Sequence, residues 1–137
     1  MIALTTLERL YAQAEASGIQ ISPFRLPQTV SCAALIDGKY YIGIDTKQIP
    51  TSCEEAECLA HEIGHCHTDT FYAVGETARK RAEKRAEEWA ITRLVPPERF
   101  RKALRNGCRE IWEFAEELGT SFPFAEKVVR YYLARQN

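Results

Sequence analysis

Residues 60–67 read Ala60-His61-Glu62-Ile63-Gly64-His65-Cys66-His67 and contain all three histidines of the chain. The core of this stretch, His61-Glu62-Ile63-Gly64-His65, is an HExxH pattern. On a helix, side chains four residues apart stack on one face, so the two imidazoles can bind one metal ion together. Glu62 then stands beside the metal, where it can take a proton from water. Two histidines alone hold zinc poorly, so the pattern calls for a third ligand. Adjacent helical residues project about 100° apart. That argues against Cys66 sharing the site while the helix continues, and likewise places His67 outside the ligand set, from where it could still hydrogen-bond substrate.

Upstream, Ser52-Cys53-Glu54-Glu55 reads as a capping box at the start of the HExxH helix. Ala56, Leu59, Ala60 and Ile63 supply its core-facing stripe, and Gly64 gives close packing space at some cost in helix propensity. Downstream, a helix over Glu76 to Val95 lines up Glu83, Ala86, Glu87, Ala90 and Leu94 on one side. Small alanines beside a carboxylate let that helix approach another closely and bring Glu83 to a buried metal. The alternative is that Glu83 offsets its basic neighbours Arg79, Lys80, Arg81, Lys84 and Arg85 on a solvated face.

The run Ala60-His61-Glu62-Ile63-Gly64-His65, then Phe71-Tyr72, then Glu83-x-x-Ala86-Glu87-x-Trp89-Ala90, then Leu94-Val95-Pro96, resembles the ImmA/IrrE family of zinc-dependent metallopeptidases. The resemblance is to the small versions carried by phages and integrative elements. Specific motifs cover roughly Ser52 to Pro97. The resemblance implies one Zn2+ per chain, held by His61, His65 and Glu83, with Glu62 as the catalytic carboxylate. It also implies a zincin-like core in which a sheet lies beside the HExxH helix. Its implied role is narrow: cleaving or inactivating a partner DNA-binding repressor, so that a mobile element or stress response is switched on. The family usually has Asp or Asn where this chain has Glu87. A carboxylate there could orient a ligand histidine from behind, or, being one methylene longer, point outward. Tyr72 is the candidate donor to a reaction oxyanion; with Phe71 it would equally serve as an apolar plug.

The rest of the chain frames this core. At 137 residues there is room for one domain and not two ordinary ones. Its parts are an N-terminal helix and hairpin (1–50), the metal-binding core (51–97) and C-terminal helices (98–137). Apolar content of 45% and charged content of 27% are those of a globular protein. A formal net charge of −1 gives no overall attraction to nucleic acid or an anionic membrane. No stretch has the apolar length to span a bilayer, and Met1 to Arg9 lacks the pattern of an export signal. Five cysteines form an odd, scattered set without a CxxC pair. Together these place the protein in the reducing cytoplasm.

Thr5 to Ser17 reads as an amphipathic helix closed by Gly18, followed by a loop with Pro23 and Pro27. Thr29 to Ile36 and Lys39 to Asp45 form a hairpin around Asp37-Gly38, whose residues favour positive φ. Thr68 to Gly75 is a loop. Pro97 starts a helix that ends near Asn106, and Arg109 to Leu118 and Phe122 to Ala134 are two more. The class is therefore α+β, with a small antiparallel sheet and a mostly helical C-terminal half. A competing reading is a DNA-binding or regulatory module with a structural metal site. Ala115-x-x-x-Gly119-Thr120-Ser121 with Val128 has helix-turn-helix spacing. Lys127, Arg130 and Arg135 against Glu126 make a poor phosphate-binding helix, however.

Overall fold

The computed structural model describes residues 3–71 and 74–135, so Tyr72 lies outside the described residues. Among them, six α-helices and one three-stranded sheet make an α+β fold. Contacts divide the chain into two compact units, residues 1–90 and 91–137. No helix among the described residues is long and apolar enough to cross a membrane.

The first unit opens with α1 (Thr6–Ala16). Thr5 caps it by accepting the Glu8 N–H, while the Glu8 carboxylate accepts the Thr5 N–H. Leu10 and Ala14 bury its inner face. Then come β1 (Ile19–Pro23), β2 (Ser31–Ile36) and β3 (Lys39–Ile44). β2 and β3 form the expected antiparallel hairpin, with Asp37 at φ 50° and Gly38 at φ 75° in the turn. The sheet as a whole is mixed, in the order β1-β3-β2, which corrects the antiparallel expectation.

The difference comes from β1, expected to be loop. It runs parallel to β3, with Ile19 opposite Tyr40 and Ile21 opposite Ile42. Ile19 and Ile21 share the sheet face of the buried Ile42 and Ile44. Pro23 is tolerated because it ends an edge strand. At the far end of β3, buried Asp45 accepts the Leu26 N–H at 3.0 Å and a Gln48 amide N–H at 2.7 Å. These bonds tie the loop after β1 to the sheet and hold the Asp45 carboxyl below its usual range, Gln48 contributing most.

The HExxH stretch lies in α2 (Ser52–Thr68), which packs on β2 and β3, and its Leu59, Ala60 and Ile63 are fully buried. Its cap is Thr51, one residue before the expected Ser52. Thr51 has extended backbone, accepts the Glu54 N–H at 3.2 Å and donates to the Glu54 carboxylate at 2.8 Å. Ser52 is already in the first helical turn. Tyr11 of α1 donates to Glu55 of α2 at 2.7 Å. Asp69, in left-handed backbone at φ 54°, ends α2. The helix α3 (Glu76–Leu94) follows, with Ala82, Ala86 and Ala90 buried.

The second unit contains α4 (Pro97–Arg105), α5 (Ile111–Leu118) and α6 (Phe122–Leu133). Phe100 stacks on Phe114 and Tyr132, at centroid distances of 5.4 and 4.8 Å. Gly119, at φ 68°, ends α5, and the Ser121 hydroxyl caps α6. Val128 is fully buried, Arg130 pairs with Glu126, and the Arg135 guanidinium lies 3.8 Å from the Tyr131 ring centre.

Candidate metal centre

The four-residue spacing of His61 and His65 on α2 brings their rings to 5.0 Å, edge to face. α3 supplies the third group. Glu83 straddles the pair, with Oε2 2.7 Å from His61 Nε2 and Oε1 3.0 Å from His65 Nε2. One donor atom from each residue can be chosen so that all lie within 4.8 Å of one another. The three residues thus form a group that could hold a metal ion. The sequence expected Glu83 at a buried metal; its side chain is instead 61% exposed, at the rim. The buried contact between the helices is made by small residues one turn further on. A Cβ built on Gly64 would lie 2.7 Å from Ala86 O, so only glycine lets α3 come this close.

Contacts of 2.7 and 3.0 Å from Glu83, with all three donor atoms inside 4.8 Å, bracket the spacing a small ion needs. Bonds of about 2.0–2.2 Å put tetrahedral ligand atoms roughly 3.3–3.6 Å apart, inside the observed spread. Two imidazole nitrogens and a carboxylate oxygen are also a donor set zinc accepts. Each ring turns Nε2 toward Glu83 and Nδ1 toward a different partner. His61 Nδ1 lies 3.4 Å from Glu87 Oε2, and His65 Nδ1 lies 2.9 Å from Thr70 Oγ1 and 3.2 Å from Thr70 O. An N–H on Nδ1 leaves the Nε2 lone pair for a metal. Burial pulls the His61 imidazole down, but Glu87, Glu62 and Glu83 outweigh it and lift it to about 9.

Glu62 points into the same place. It is 7% exposed, and burial pushes its carboxyl above the usual range, against the pull of the Ser31 hydroxyl and the two histidines. A cavity of about 610 Å³ is lined by His61, Glu62, His65 and Glu83 together with β2 residues, Thr70 and Phe71. No protein-family model, curated protein or solved structure matches the chain.

The remaining sequence candidates fall elsewhere. Cys66 is buried outside the group, its thiol pushed up to about 12 by burial. His67 stacks on Trp89 at 5.0 Å. Two contacts escaped the sequence reading. Thr70, five residues after His65, was open to inference, because a helix that ends there must turn back over its last residues. Ser31, whose hydroxyl donates to Glu62 across 31 residues, had no local signal at all.

Proposed function

We propose that this chain is a cytoplasmic zinc metallopeptidase, with one zinc per chain held by His61, His65 and Glu83 and with Glu62 as general base and acid. The observation that carries this reading is the two Nε2 atoms meeting one Glu83 carboxylate beside buried Glu62. When bound, zinc supplies a Lewis acid for a carbonyl and lowers the pKa of water to about 7. Glu62 takes the proton from the attacking water and returns it to the leaving amine. Glu87 and Thr70 hold the histidine rings from behind. A purely structural site would have no use for Glu62.

Among the described residues, the outer edge of β2 at Ser31 and Ala33 suits an extended peptide. Asp45 N–H bonds to Val30 O at 2.8 Å, so in this register Cys32 and Ala34 direct their main chain toward β3. The Ser31 N–H and both main-chain groups of Ala33 then face outward, beside the metal group. A substrate strand added there would cross the site. The packing of α2 on β2 and β3 is compatible with a zincin-like core. Likeness of the motifs to ImmA/IrrE peptidases supports a DNA-binding repressor as the substrate and a phage or mobile element as the setting. Five unpaired cysteines suit the reducing cytoplasm. Direct nucleic-acid binding is not favoured, since Arg130 and Arg135 of the second unit are engaged within their own helix region.

Elemental analysis tests the site. Wild type purified without chelators is expected to carry near one zinc per chain, and Glu83→Ala a small fraction of that. Equal zinc in both would remove Glu83 from the ligand set; none in either would end the zinc reading. Competition with a chromogenic chelator tests the ring supports. Glu87→Ala should weaken zinc binding about 10- to 100-fold. Thr70→Val should weaken it less, because the Thr70 carbonyl remains. Unchanged affinity in both variants would show that neither contact orients a ligand.

A further inference from the structure

Among the described residues, the Glu62 carboxylate has a single hydrogen-bond donor, and it comes from the sheet. Ser31 Oγ donates to Glu62 Oε2 at 2.7 Å, the length of a charge-assisted O–H···O bond. Ser31, Ala33 and Leu35 share the sheet face that carries buried Ile42 and Ile44, the face against which α2 packs. The serine therefore reaches Glu62 from a strand already fixed by pairing with β3. Glutamate has three rotatable side-chain bonds, and α2 by itself fixes only where the side chain starts.

We propose that Ser31 is a positioning residue, which pins one oxygen of Glu62 at the cavity wall and leaves the other for the proton. The proposal rests on the peptidase reading of Glu62. It adds a link between substrate and base, because the Ser31 N–H faces away from β3 at the outer edge of the sheet while its hydroxyl holds Glu62. A substrate strand paired on that edge and the group that deprotonates water are then set by one residue.

The test compares wild type, Ser31→Ala, Ser31→Thr and Glu62→Gln as zinc-loaded full-length chains, with unfolded casein as the probe. Ser31→Ala should lower kcat on the order of 10-fold or more, with KM and zinc content unchanged. Ser31→Thr, which keeps the hydroxyl, should restore it. A separate readout needs no turnover: urea unfolding of metal-free chains in a cycle of Ser31→Ala, Glu62→Ala and the double variant. Ser31→Ala should lower the midpoint in the wild-type background and not in Glu62→Ala.

Wild-type turnover by Ser31→Ala, where Glu62→Gln is inactive, overturns the proposal and leaves the peptidase reading standing. Equal turnover by Glu62→Gln and wild type removes the peptidase reading instead. In that case, or if wild type does not cut casein, the urea cycle decides. Additive midpoints overturn the hold of Ser31 on Glu62, and non-additive midpoints uphold it.

Discussion

Glu62→Gln is expected to keep wild-type zinc and to lose hydrolysis, with turnover falling roughly 10²- to 10⁴-fold, the usual contribution of a general acid–base group. Glutamine has nearly the shape of glutamate, and its amide oxygen can still accept from Ser31 Oγ, which lies 2.7 Å from Glu62 Oε2. Packing around the buried side chain is therefore preserved. What disappears is basicity: an amide cannot take a proton from water at neutral pH. The fall should appear in kcat rather than in zinc content, measured on the same preparations. Equal activity in the two proteins, or none in either, would sink the peptidase reading.

Gly64→Ala is expected to disrupt the site without touching any group that meets metal. The new methyl would lie 2.7 Å from Ala86 O, 3.2 Å from Ala86 Cα and 3.3 Å from Ala86 C, all backbone atoms that cannot swing aside. Alanine gains about 0.8–1.0 kcal/mol over glycine in a helix interior. Overpacking of this kind costs about 1–3 kcal/mol. The clash is expected to win by up to about 2 kcal/mol. Relief comes from moving the Ala86 turn of α3 outward, and Glu83 lies one turn before it on the same helix. We therefore expect a lower urea midpoint and at least a tenfold loss of zinc affinity, on the scale of losing a supporting contact. A variant that is more stable than wild type and binds zinc normally would show that α2 and α3 are not in this contact.

Features set by neighbouring residues were legible in the chain. The four-residue step from His61 to His65, the Asp37-Gly38 turn and the proline that opens α4 each depend on backbone torsions within a few positions. The same local chemistry located the start of α2 to within one residue. The cap expected at Ser52 is Thr51; both carry a hydroxyl, and only the backbone angle separates the cap from the first turn. Glu83 was legible as a candidate from its alanine-flanked stripe, but not its exposure, since a rim position depends on what lies opposite.

Partners distant in sequence were beyond such reading. β1 is a strand because β3 pairs with it in parallel, and nothing within Ile19–Pro23 announces that pairing. Ser31 meets Glu62 because β2 packs on α2 at one register, and a shift of one residue would turn the hydroxyl to the other face. The sequence by itself thus determined the helices, the hairpin and the pair of histidines, whose causes are short-range torsion and hydrogen bonding. Tertiary structure alone decided the mixed sheet, the placing of Glu83 across both Nε2 atoms and the hold of the sheet on Glu62. Each of those requires two surfaces to pack before any of their side chains can meet.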